Sequence, residues 1–95
     1  MTLEEFKDLM QREAQPPSHL SQSLQALWHA AKEDWEMSHQ IAQEIHTAEG
    51  SWIHAYLHRV EGDQSNADYW YARSGHPRPK VGLDQEWEEM VTALL

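Results

Sequence analysis

The sequence predicts an all-α domain of about six helices. Three observations lead there. Apolar residues recur at the i, i+3, i+4, i+7 spacing of a helix in one segment after another. Gly-Asp, Ser and Pro signals separate those segments at helix-like lengths. No stretch alternates apolar and polar residues between hairpin turns, as a half-buried strand would. The Tyr69-Trp70-Tyr71 run has strand propensity, but it lies between a helix-starting Asp63 and a helix-ending Gly75, and that setting favours helix.

Taken in order, Thr2-Leu3-Glu4-Glu5 is a capping box, and Leu3, Phe6, Leu9 and Met10 form a narrow apolar stripe behind it. This helix ends before Gln15-Pro16-Pro17. Residues 1–15 are therefore either a helix docked on the domain or a loosely held arm. Ser18 is expected to cap the second helix, whose stripe is Leu20, Leu24, Leu27, Trp28 and Ala31, with His29 on the opposite, outward side. Lys32-Glu33-Asp34 is a turn, with Asp34 as the next N-cap. The third helix places Trp35, Ser38, His39, Ala42, Ile45 and His46 on one face, so His39 points inward. Thr47 to Ser51, with Gly50 inside it, reads as the next break.

The fourth helix is apolar around most of its girth, which marks it as central. Trp52, Ala55, Tyr56 and the stem of Arg59 share one side, and Ile53, Leu57 and Val60 take the adjoining one. His54, His58 and Glu61 occupy the remaining arc, within about 60° of one another. Gly62 suits a helix end that needs a left-handed residue, and Asp63 caps the helix of Ala67, Trp70, Tyr71 and Ser74, which Gly75 and Pro77 close. Residues 76–83 are a proline-containing loop. Asp84 is expected to cap the last helix, residues 84–95, where Leu83, Trp87, Met90, Val91 and Leu94 align and Glu86, Glu88 and Glu89 lie near the favourable end of the helix dipole. All five tryptophans fall on apolar stripes, so each is expected in the core.

Ninety-five residues fit a single domain, 1–95, with one modest core. Sixteen acidic against seven basic residues give a net charge of −9, which argues against a nucleic-acid partner. No 18-residue apolar run is present, so no membrane partner is expected. The absence of cysteine excludes thiolate metal sites and thiol catalysis, and the expected address is cytoplasmic.

Sliding the chain by 29 residues lays Ala26-Leu27-Trp28-His29 to Glu33-Asp34 on Ala55-Tyr56-Leu57-His58 to Gly62-Asp63. Each copy is helix, tight turn, capped helix, and units of that kind bury their faces by stacking, so residues 18–75 are expected to form two stacked antiparallel hairpins. Gly62-Asp63, Ala67, Tyr71 and Ser74, with Ala55 before them, resemble the tetratricopeptide repeat. His54 and His58 depart from it, standing where that repeat prefers aliphatic and aromatic residues. The longer string from Trp52 through His54-Ala55-Tyr56-Leu57-His58-Arg59 and Glu61-Gly62-Asp63 to Asn66-Ala67 and Tyr69-Trp70-Tyr71 resembles a small uncharacterised bacterial protein family, which implies no function. The repeat resemblance implies a helical binding module whose partner is a protein or peptide, a second copy of the chain included.

One place in the sequence can hold chemistry. His54 and His58 are one helical turn apart, Glu61 adds a carboxylate on the same arc, and inward-pointing His39 can join them. The bland reading, preferred on the sequence, is a buried hydrogen-bonded network with no cofactor that fixes how the hairpins meet. The alternative is a divalent transition metal such as zinc or iron held by His39, His54, His58 and Glu61, in a metal-binding or metal-dependent hydrolytic protein. No nucleophile elbow, phosphate loop or Ser/His/Asp arrangement supports another enzyme class. For a partner, the expected surface is Tyr69, Arg73, His76, Arg78 and Lys80, which joins an off-stripe aromatic to much of the scarce positive charge.

Overall fold

The computed structural model describes residues 1–95 as six helices and no strands: α1 Leu3–Arg12, α2 Gln22–Ala31, α3 Trp35–Gln43, α4 Ala48–Val60, α5 Gln64–Ser74 and α6 Leu83–Leu94. The helices α2 and α3 pair as one hairpin and α4 and α5 as a second, with α4 also packed on α2 and α3. None of the helices is long and apolar enough to cross a membrane.

The two hairpin turns match bond for bond across the 29-residue offset. Glu33 (φ 64°) and Gly62 (φ 87°) are both left-handed. The Asp34 amide donates to the His29 carbonyl at 2.9 Å and the Asp63 amide to the His58 carbonyl at 2.9 Å. Each aspartate then accepts from the third residue of the following helix, Met37 N–H at 3.2 Å and Asn66 N–H at 3.3 Å. Small residues sit at both crossings. Ser38 donates to the Ala26 carbonyl at 2.6 Å in the first hairpin, and buried Ala55 and Ala67 share a small cluster with Tyr71 in the second.

The main core lies where α2, α4 and α6 meet, around Leu24, Leu27, Trp28, Ile53, Leu57, Trp87, Met90 and Val91. The first helix adds Phe6, fully buried, with its ring 5.8 Å from that of Trp28 and 6.1 Å from that of Trp87. Trp87 Nε1–H donates to the Leu27 carbonyl at 2.8 Å and so anchors α6 on α2. A buried ionic cluster holds α6 to the second hairpin. Arg59 donates to Glu86 Oε1 at 2.7 Å and to the Val81 carbonyl at 2.6 Å, while Tyr71 Oη–H donates to Glu86 Oε2 at 2.5 Å.

Three expectations about boundaries are corrected. Ser21, not Ser18, caps α2, its Oγ accepting from Leu24 N–H at 3.2 Å. Residues Pro17 to Leu20 form a turn first, because that turn drops Leu20 into the core. Asp84 does not cap α6; Gly82 holds the N-cap position and Asp84 lies inside the first turn. Gly50 is not part of a break but the third residue of α4. There it packs on the preceding segment so closely that a Cβ would stand 1.9 Å from the Ile45 carbonyl oxygen.

Candidate metal centre

The α3–α4 packing brings His39 against His54 and His58, which follow one another a turn apart on α4. Each ring can offer a nitrogen such that the three lie within 4.8 Å of one another. His39 Nε2 and His54 Nε2 are 2.8 Å apart, so between neutral rings one donates and the other accepts. His58 turns Nδ1 to Glu61 Oε1 at 2.6 Å, which leaves Nε2 as its ring nitrogen for a further partner. Asn66 Nδ2 lies 3.5 Å from His58. The three residues read from the sequence as one arc and inward-pointing His39 of α3 therefore come together. Glu61 stands behind His58 rather than beside the other ring nitrogens.

Indoles hold the rings in place. Trp35 stacks on His39 (centroids 4.7 Å, planes 10° apart) and is itself fixed by Nε1–H donating to the Leu57 carbonyl at 2.7 Å. Trp70 stacks on His54 at 4.0 Å and 6°. A third indole, Trp52, stacks on His76 at 3.7 Å. The expectation that all five tryptophans are core is thus corrected. Trp28 and Trp87 are core, whereas Trp35, Trp52 and Trp70 are half-buried and each faces an imidazole.

Burial governs the proton affinities. It pushes His54 down to about 4, helped by the neighbouring His39 and His58. Burial likewise lowers His39, with His58 adding to the effect and Glu61 opposing it. Both rings are neutral at pH 7, so each has a lone pair to offer. A second group, His58, Glu61 and Asp63, also brings donor atoms within 4.8 Å, but Asp63 is already the cap of α5 and is exposed along with Glu61.

The residues expected to meet a partner lie along α5 and the following loop. Tyr69 is 54% exposed. Arg73 donates to Tyr69 Oη at 3.0 Å and lies over the Trp70 ring at 5.3 Å. Arg78 is taken by Asp68, its Nε–H donating to Oδ1 at 2.9 Å, and the pair holds Asp68 below the usual carboxylate range through that hydrogen bond. His76 is engaged by Trp52, and Lys80 is exposed. The patch is less cationic than its composition implied.

Sequence reasoning missed two things. Glu86 lies in the first turn of α6 as expected, but its burial (3% exposed) and its bonds on both oxygens had no signal in the sequence. The pairing of Trp35 with His39 had a signal, since the two are four apart on one helix face; the Trp70–His54 stack joins two helices and had none. No protein-family model, curated protein or solved structure matches this chain.

Proposed function

We propose that His39, His54 and His58 bind a divalent transition metal, zinc foremost, with Glu61 orienting His58. The observation that carries this reading is the convergence of three ring nitrogens while the far nitrogen of one ring is held by a carboxylate. Carboxylate–histidine–metal arrangements use that second contact to fix the tautomer and raise the basicity of the ligand. A tetrahedral zinc holds its nitrogens about 3.3 Å apart, from bond lengths of about 2.0–2.1 Å. Rings with donors at 2.8 Å and within 4.8 Å reach that by small rotations. Three neutral donors leave the full charge on the ion and a fourth position for water or a substrate oxygen, the pattern of hydrolytic rather than structural zinc. With Glu61 bound to His58, iron in a two-histidine, one-carboxylate site is the less suited ion.

A thermal melt tests this. Chelator should lower the melting temperature, stoichiometric Zn²⁺ should restore it, and His58→Ala should abolish the response. A melting temperature that neither chelator nor Zn²⁺ moves, with His58→Ala lowering stability by about 1–3 kcal/mol whether or not chelator is present, would return the cluster to a hydrogen-bonded network. A second reading, a tetratricopeptide-like interaction module for a protein or peptide partner, has one observation in its favour: exposed Tyr69 with Arg73 held across it. It has one against, since α6 packs on both α2 and α4, the helices that would line a groove. Reversing the charge at Arg73 and Arg78 together should weaken capture of any co-purifying protein if that module operates.

A further inference from the structure

Beside the three histidines, the end of α3, the start of α4 and one side of α5 enclose a hollow of about 400 Å³, within the size range of small-molecule sites. Its wall includes His46, Thr47, Ser51, His54, Trp70 and Arg73. In a chain with sixteen acidic residues and a net charge of −9, not one carboxylate residue lines it. The nearest candidate on α4, Glu49, turns away to accept from Ser23 Oγ at 2.7 Å.

The side chains that line it carry no negative charge, and several can donate to an anion. Arg73 spends Nη1 on Tyr69 and keeps its remaining N–H groups. Thr47 makes no side-chain cap bond, so the opening N–H groups of α4, those of wall residues Ala48 and Gly50 among them, have no acceptor within the chain. His54 is only 8% exposed and makes its single protein hydrogen bond through Nε2, so Nδ1 on the same ring is without a protein partner. When Nε2 accepts from His39, Nδ1 carries the ring hydrogen and donates. Trp70 supplies an apolar wall for the body of a ligand.

We propose that this hollow binds a small oxyanion, a phosphoryl or carboxylate group, anchored by Arg73 and met by His54 Nδ1–H. The site does not depend on the metal reading, although His54 would connect the two.

The test is isothermal titration of chelator-treated protein with inorganic phosphate and, separately, with acetate. One-to-one saturable binding of at least one of them is expected, and the tighter of the two assigns the group. Arg73→Met, whose side chain keeps the length of the stem on an exposed position, should weaken that binding at least tenfold, whereas Arg78→Met, outside the hollow, should leave it unchanged. Circular dichroism of both variants checks that they are folded. Absence of saturable binding by either anion overturns the proposal, and so does equal affinity in wild type and Arg73→Met.

Discussion

Glu86→Ala removes a buried carboxylate that is bonded on both oxygens, and a large loss of stability is expected. The Glu86 side chain is 4% exposed and that of Arg59 19%, and the carboxylate joins Arg59 on α4 to Tyr71 on α5. Removing one member of a buried ion pair strands the other, which costs about 3–5 kcal/mol. Leaving the Tyr71 hydroxyl without its acceptor adds about 1–3 kcal/mol in the same direction, partly shared with the first figure because both relax together. Arg59 keeps the Val81 carbonyl, which favours the lower end. A loss of about 4 kcal/mol is a large fraction of the 5–15 kcal/mol typical of a domain. Urea unfolding followed by tryptophan fluorescence measures it, with the slope of the transition checked for constancy. The double variant Arg59→Met, Glu86→Leu should recover much of the loss, since no charge is then left buried. A Glu86→Ala protein within about 1 kcal/mol of wild type would refute the view that this cluster joins α6 to the second hairpin.

Three further outcomes are expected. Gly50→Ala should destabilise far more than Gly62→Ala in the same assay: a Cβ at Gly50 meets the Ile45 carbonyl at 1.9 Å, whereas Gly62 has open space and pays only for its left-handed backbone, about 1 kcal/mol. Glu33→Gly should stabilise by about 0.5–1 kcal/mol, because Glu33 occupies at φ 64° the turn position that glycine fills in the second hairpin. In the metal-free protein, stability should fall with acid between pH 6.5 and about 4. The unfolded chain takes up a proton on His54 in that window and the folded one does not, so the unfolded state binds more protons and stability rises with pH, by about 2–3 kcal/mol across the window. His54→Gln should flatten that slope, and equal slopes would show that His54 is not the group responsible.

Much of the fold was legible because local signals and the global arrangement agree. The Gly62-Asp63 turn, the Thr2 capping box and the Gly75 terminus each carry their conformation in one or two residues, and all form as read. The errors came where a local signal had rivals. Ser18 and Ser21 are equally good caps in isolation, and burial of Leu20 decides between them. Gly50 looked like a break because glycine serves both turns and close approaches, and only the path of Ile45 distinguishes the two. At the site, the 3.6-residue period placed His54, His58 and Glu61 on one arc and His39 inward, which sufficed to name the cluster. The period cannot show that Glu61 turns to Nδ1 of His58, nor that Trp70 of α5 covers His54, because both depend on rotamers and on how α4 and α5 cross. Glu86 was hidden for a similar reason: its partners, Arg59 and Tyr71, lie on two other helices and become neighbours only after packing.

Nitrogen-15 NMR of the imidazole rings during a Zn²⁺ titration tests metal binding at the histidine cluster most directly. With seven histidines in the chain, the technique separates coordination at the cluster from loose binding at the surface. One equivalent of zinc should shift the ring nitrogens of His39, His54 and His58 in a saturating step, with His58 bound through Nε2 and its Nδ1–H still facing Glu61, while His19, His29, His46 and His76 stay in place. Zinc that leaves those three rings unshifted at one equivalent, or that moves the surface histidines first, would contradict metal binding at the cluster.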